Sequence, residues 1–422
     1  MASGSNDLST PRGVGENGLK WVLLLRQVVL AAGPGLIAML ADTDAGSVIT
    51  VAQSGAQWGY RLLLPNLMLI PFMFIAQELA LRLGLGTRRG AGELVMQRFG
   101  KVPAGLLLAI LAVSCSGALV TQLSGLAGAG QALGAPVWLI MTITVGALIL
   151  MVLTGSYRSV QRIALLVGLF ELAFMIMAWR AAPGLAPIVR QATQLPLSNP
   201  GYLYLLAANL GTSIIPWTLL FQQSASIDKG LGPPQVRGAR FETLVGVILC
   251  QTITSALLIA AAAKLGHGRP LDSIAEIETA FTATLGTVTG HLIFVVGLSG
   301  SALVATIVVC LTLSWTMGEV LGVQHSLEHH PREAPWFYGA LTVMLVGGGV
   351  VVASGVNLVR LSVAAGVLNA LLLPVILGFL YRLARTSLPE PLRLKGAYAA
   401  IVALAFLLTG AVAIYASIAG LS

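Results

Sequence analysis

Leu40-Ala41-Asp42-Thr43-Asp44-Ala45-Gly46-Ser47 sits in the middle of the first long apolar stretch, and its reading decides the fold. A carboxylate at the centre of a bilayer costs about 2.5–3.5 kcal/mol on insertion scales, so intramembrane acids are rare and mark ion or substrate pathways. Here two stand two positions apart, followed by Ala45-Gly46-Ser47, a run that favours an interrupted helix over a continuous one. Around this stretch the 422 residues are 56% hydrophobic and 9% charged. Mean hydropathy is +0.88, a balance that excludes a soluble domain.

Apolar stretches long enough to cross a bilayer recur near 27–55, 62–83, 103–130, 136–155, 160–181, 200–226, 241–264, 290–318, 336–353, 359–381 and 396–419. The expected fold class is therefore an all-α integral membrane protein of about 11 transmembrane helices, with 27–422 as one transmembrane transport domain. The first twenty residues are polar and Gly/Ser-rich and carry no cleavable leader pattern, and 1–26 is expected as a flexible cytoplasmic tail. The net charge of +8 does not point to nucleic acid, because the basic residues cluster in short connections between spans. Placing the N-terminus inside leaves only Arg61, Arg180, Arg190, Lys264, Arg269 and Arg360 of the 24 Lys and Arg residues on the far side. That positive-inside bias puts the C-terminus outside. Cys115, Cys250 and Cys310 fall inside apolar spans at scattered spacing, with no metal or disulfide pattern, and read as packing residues.

A second interruption lies in the sixth span, at Gly211-Thr212-Ser213-Ile214-Ile215-Pro216-Trp217, where Pro216 lacks a donor and clashes with the preceding turn. Unwound backbone at membrane depth survives only where protein buries it or a cavity wets it. Two such breaks five spans apart fit two inverted five-helix repeats, near 27–181 and 200–381, with an extra helix at 396–419 and a binding site between the broken helices. A simple kink at Pro216 is the plainer alternative.

The motifs themselves resemble a known family. Gly33-Pro34-Gly35, then Asp44-Ala45-Gly46-Ser47 and Gly55-Ala56-Gln57-Trp58-Gly59-Tyr60, are similar to the first span of the NRAMP divalent-metal transporters, and Gln77-Glu78-Leu79-Ala80-Leu81-Arg82-Leu83-Gly84 continues the likeness. Span six, from Gly211 to Ala225, aligns with that family's Met-Pro-His region. The resemblance covers most of the chain and implies a LeuT-type fold with broken helices 1 and 6. The departures matter as much. The family's Asp-Pro-Gly-Asn is Asp44-Ala45-Gly46-Ser47, so the Asp is kept and the Asn ligand becomes Ser47. Its metal-ligating Met is Ile215, its His is Trp217, and Asp42 replaces a usual aromatic. The carboxylates of its Thr-Asp-Leu-Ala-Glu become Gln122 and Gly125 in Thr121-Gln122-Leu123-Ser124-Gly125. This pattern is similar to the NRAMP-related magnesium transporters, a prokaryotic branch.

Ligand chemistry points the same way. A thioether favours transition metals, and Ile215 in its place leaves an all-oxygen site. The candidate metal ligands are the carboxylates of Asp44 and Asp42, the Ser47 hydroxyl, and backbone carbonyls near Ala41 and Thr212. Gln222, Gln223 and Asn369 are further polar candidates, with Ile215 and Trp217 lining the site. Mg²⁺ takes oxygen ligands and keeps several waters, which suits two carboxylates and few direct ligands; Mn²⁺ accepts the same set.

Each residue also has a plainer reading. Asp42 can cap a half-helix or face a vestibule, Trp217 can fill volume, and Gln222, Gln223 and Asn369 can hydrogen-bond between packed helices. His325-Ser326-Leu327-Glu328-His329-His330 has ligand-like spacing but reads as a solvated connection. Glu78, Glu242 and Glu319 lie near cytoplasmic span ends, where water or a nearby Arg is the default partner. Glu171, deeper in span five, reads as a packing or ion-pair residue, with Asp42 the other acid left for a proton relay. Glycines such as Gly125, Gly128 and Gly130 read as helix contacts.

The expected function is import of Mg²⁺, and Mn²⁺, across a prokaryotic inner (plasma) membrane by alternating access without proton coupling. A proton-coupled Mn²⁺/Fe²⁺ importer is the alternative. An organic-solute carrier is disfavoured by the paired aspartates, a sensor by the lack of a cytoplasmic output domain, and an enzyme by the lack of a nucleophile–base pair or cofactor motif. The implied partners are divalent metal ions and the lipid bilayer, with no nucleic acid and no obligate protein partner.

Overall fold

The computed structural model describes residues 33–154, 169–181, 184–266, 268–323, 333 and 335–421. In chain order the described helices are α1 (Pro34–Asp42), α2 (Ala45–Trp58), α3 (Leu63–Thr87), α4 (Ala91–Phe99), α5 (Lys101–Ala132), α6 (Val137–Thr154), α7 (Ala173–Ala181), α8 (Leu185–Ala192), α9 (Pro200–Ser213), α10 (Pro216–Asp228), α11 (Val236–Leu265), α12 (Ile274–Leu285), α13 (Thr287–Leu321), α14 (Pro335–Ala353), α15 (Leu358–Thr386) and α16 (Gly396–Leu421). Among the described residues, 7 helical stretches are long and apolar enough to cross a membrane. Each expected span meets a helix or helix pair, the fifth only from a short 3-10 turn at Leu169–Leu172 onward. The tail 1–26, the start of span five and the His325–His330 segment lie outside the described residues.

Three connections expected as loops contain short helices, α4, α8 and α12. A periodic run of eight to twelve residues is too short to register as a span, and packing decides it. At α4 the Gly92 amide donates to the Glu319 carboxylate of α13 at 2.9 Å, a cap supplied from another helix. α12 turns into α13 through Gly286, whose φ of +86° favours glycine.

Both interruptions are present, each narrower than the sequence suggests. α1 ends at Asp42; Thr43 and Asp44 are non-helical, and Ala45-Gly46-Ser47 form the first turn of α2. In span six only Ile214 and Ile215 leave the helix, with ψ of 86° and 133°. Pro216 does not merely kink a helix. It takes the first position of α10, where a missing N–H leaves nothing unsatisfied.

Span six is the centre of the bundle: 89% of its apolar window is buried, against 44% for the peripheral α16. α9 approaches α15 backbone to backbone, because a Cβ on Gly211 would collide with the Gly366 carbonyl. Small residues do the same elsewhere, Gly128 against Ile274 and Gly130 against Ile140. The three cysteines are buried and free, as packing residues.

The buried acids near span ends find specific partners. Glu242 of α11 accepts the Gly33 and Leu36 amides at 2.7 and 2.9 Å, capping α1 from outside. Glu78 accepts Arg82 Nη2 at 2.7 Å and Arg240 Nε at 2.6 Å, and Arg82 lies 5.3 Å from the Tyr398 ring centroid. This cluster ties α3, α11 and α16 together. Removing one partner of a buried pair strands the other charge, at about 3–5 kcal/mol. Glu78→Ala should therefore lower the thermal midpoint of the detergent-solubilised protein well below that of Arg240→Ala, whose side chain is 37% exposed. Thermal unfolding followed by size-exclusion chromatography reads the difference.

Candidate functional site

α1 and α9 finish side by side at the two breaks, and the last carbonyls of each helix lack intrahelical donors. Their macrodipoles place partial negative charge there. Two carboxylates are added to that field by Asp42 and Asp44, which are 1% and 4% exposed.

Asp44 opens α2 as its N-cap. Its Oδ1 accepts the Ser47 amide at 2.6 Å, and its Oδ2 accepts Gln122 Nε2 of α5 at 2.5 Å. Gln122 Oε1 in turn accepts the Ala45 amide at 2.9 Å, so one side chain serves both the carboxylate and a free N–H of the new helix. One turn on, Gly125 leaves room that the Ala45 methyl occupies.

Ser47 joins the two breaks. Its hydroxyl lies 2.8 Å from the Asp42 carbonyl and 3.0 Å from the Thr212 carbonyl. A hydroxyl has one proton, so three oxygens share a single hydrogen and keep a surplus of lone pairs. Asp44 retains further acceptor capacity beside them. Ala41 is buried one residue earlier, and the carbonyl that α1 presents to Ser47 is that of Asp42.

Asp42 is in a different situation. Neither carboxylate oxygen has a hydrogen-bond partner among the described residues. Thr218 of α10 and Gln77 of α3 face it. However, Thr218 Oγ donates to the Ile215 carbonyl at 3.0 Å and accepts Gln77 Nε2 at 3.2 Å. No buried cation offsets either aspartate: among the buried described residues Arg82 is the one basic side chain, and it is bound to Glu78.

Glu171 lies beside Thr43, within electrostatic reach of Asp44, and both its oxygens lack hydrogen-bond partners among the described residues. Of the packing or ion-pair role expected for it, no ion pair is formed among those residues. No group of three or more His, Cys, Asp or Glu side chains there is placed to hold a metal by itself. Any cation at the breaks would lean on carbonyls, a hydroxyl and two carboxylates, a hard oxygen set, with the Cys250 sulfur close by, where it accepts the Thr43 hydroxyl at 3.3 Å.

The structure gathers Asp42, Asp44, Ser47 and Thr212 at one junction, with Ile215 and Trp217 buried at the start of α10. The Trp217 indole N–H has no partner among the described residues. Asn369 accepts the Ser114 hydroxyl at 2.6 Å, one turn beyond Gly366, which packs on Thr212. Gln222 and Gln223 are not at the breaks. Gln222 donates to Thr243 at 2.6 Å and Gln223 to the Arg89 carbonyl at 2.9 Å. The helical rise carries them about 9–10 Å past Pro216. Gln77, Thr218 and the bridging role of Gln122 are not singled out by the sequence, because a lone polar residue in an apolar span does not declare its partner. Gln122→Leu strands an Asp44 oxygen and the Ala45 amide, at about 1–3 kcal/mol for each unsatisfied group. It should lower the metal-free thermal midpoint, which detergent unfolding curves would register.

Comparison with known proteins places the chain in a family and a fold. A family model described as Nramp, natural resistance-associated macrophage protein-like, matches residues 35–419. The chain is 25% identical over 361 residues to the divalent metal cation transporter MntH of Verminephrobacter eiseniae, covering 82% of this chain and 78% of that one. It is 28% identical over 396 residues to MntH of Acidiphilium cryptum, covering 88% and 86%. Among solved structures it is similar to the Eremococcus coleocola manganese transporter, with TM-score 0.75, 17% identity and coverage of 97% and 88%. It also shares the fold of the LeuT-type transporter MhsT in complex with L-phenylalanine, with TM-score 0.58, 13% identity and coverage of 92% and 98%.

Proposed function

The chain belongs to the Nramp family, and on that premise we propose that it carries divalent cations across a bacterial inner membrane by alternating access, with Mg²⁺ and Mn²⁺ as substrates. The observation that supports this most directly is the pair of buried aspartates at the breaks with no buried counter-cation among the described residues. A buried unpaired carboxylate is strongly unfavourable, and a passing dication relieves it. Relatives named as divalent metal cation transporters support the same reading.

Selectivity follows from ligand type. Ile215 brings no sulfur to the junction and the candidate ligands there are oxygens, which favours Mg²⁺ and Mn²⁺ over softer ions, while the Cys250 sulfur close by is engaged by the Thr43 hydroxyl at 3.3 Å. The N-terminus is inside and the C-terminus outside, from the distribution of Lys and Arg. Transport runs inward without a proton. A dication gains about 4.6 kcal/mol entering down 100 mV, or about three decades of concentration ratio. Gln122, engaged with Asp44 and Ala45, is not an acid that could take up a proton. The second reading, a proton-coupled Mn²⁺/Fe²⁺ importer, draws on Glu171, a buried carboxylate beside Thr43 with no ion-pair partner among the described residues.

Flux into proteoliposomes with Mg²⁺, Mn²⁺ and Ca²⁺, with a pH dye in the lumen, tests these points. Mg²⁺ and Mn²⁺ should enter without acidification, and absence of both fluxes would end the proposal. Lumenal acidification linked to Mg²⁺ would end only its uncoupled part. Asp44→Ala should abolish uptake and Asp42→Ala weaken it; wild-type rates in the first would place the site elsewhere. Ile215→Met should raise Cd²⁺ transport relative to Mg²⁺, and an unchanged ratio would count against ligand softness as the cause.

A further inference from the structure

Four side-chain oxygens without donors lie along one seam among the described residues. They are both carboxylate oxygens of Asp42, Oε1 of Gln77 and Oε1 of Gln222. Gln77 and Asp42 meet at Thr218 on α10, and Thr218 and Gln222, four residues apart, share one face of that helix. On the opposing α1, Asp42 lies two turns from Gly35, and a Cβ at Gly35 would come within 3.2 Å of Gln222 Nε2. The seam therefore runs from the breaks toward the N-terminal end of α1.

Hydrogen bonding at its upper end leaves more acceptors than donors. The Thr218 proton goes to the Ile215 carbonyl, and one Gln77 N–H goes to Thr218. A buried acceptor without a donor is expensive, and several facing one another with a carboxylate among them are stabilised by a cation. The Asp44–Ser47–Thr212 cradle is separate from this group. Its carboxylate is held by Ser47 and Gln122, and its hydrogen bonds do not involve Gln77 or Thr218.

We propose that the ion has a second resting position, bracketed by the Asp42 carboxylate, the Gln77 side-chain oxygen and the Thr218 hydroxyl, on the α1 side of the breaks, with Gln222 as the next polar group along its path. This rests on the divalent-cation reading above. Asp44 and Asp42 then act in sequence: the ion leaves the Asp44 cradle for Asp42, and mutual repulsion keeps one dication in the pair of positions at a time.

Mn²⁺ binding to the purified full chain in lipid nanodiscs, read by electron paramagnetic resonance, tests this. Asp44→Asn keeps an N-cap for α2 and guards against loss of fold. It should retain Mn²⁺ binding, weakened about 10- to 100-fold. The double variant Asp42→Asn/Asp44→Asn should lose it. In the Asp44→Asn background, Gln77→Leu should weaken the remaining binding about tenfold, and Gln77→Glu should tighten it. Wild-type binding with none in Asp44→Asn would overturn the second position while leaving the transport reading intact. Residual binding unmoved by both Gln77 variants would also overturn it. If wild-type protein binds no Mn²⁺, the divalent-cation reading falls, and the second position with it.

Discussion

An interrupted helix inside a membrane must satisfy its freed backbone groups without help from water, and the rest of this structure is arranged around that demand. At the first break the amides of α2 are met by Asp44 and, across the bundle, by Gln122. At the second, Pro216 brings no amide to satisfy, and the Thr212 carbonyl turns to Ser47. Donors are therefore well provided for at the two helix starts, while acceptors accumulate at the two helix ends. That imbalance is what a cation carrier needs, and it arises from helix polarity before any side chain is counted.

Side chains then sharpen it. Asp44 is both a structural cap and a charge, so its geometry is held by Ser47 and Gln122 whether or not an ion is present. Asp42 is held by neither, and stands beside Thr218, whose proton goes to the Ile215 carbonyl, and Gln77, one of whose N–H groups goes to Thr218. Two acids two residues apart thus differ in kind: one is pre-positioned by hydrogen bonds, and the other is left to find its partner in whatever passes.

Much of this was legible in the sequence, for physical reasons that can be named. Acids and prolines inside apolar runs conflict with a continuous buried helix, so the breaks at Asp42–Asp44 and before Pro216 show in the chain itself. Their narrow extent does not, because Ala45-Gly46-Ser47 becomes helical only once Asp44 caps it. The polar residues split by tertiary placement. Gln77 and Gln222 look alike in sequence, yet Gln77 faces Asp42 while Gln222 donates to Thr243, further along α10. Gln122 reads as the loss of an acid, and its work as a bridge between a carboxylate and an amide is visible only when α5 meets α2. The short helices α4, α8 and α12 lie below the length at which periodicity speaks.

The carboxylate of Glu242 has a consequence for motion. It accepts two amides in the first turn of α1, yet it belongs to α11, so the half-helix is moored at its outer tip to a neighbour. Charge-assisted bonds of this kind contribute about 1.5–3 kcal/mol each. α1 can swing away only by forfeiting both or by dragging α11 along. The mooring biases the protein toward the arrangement described here and gives any opening at that end a restoring pull that an arriving ion, or water reaching the freed amides, has to overcome.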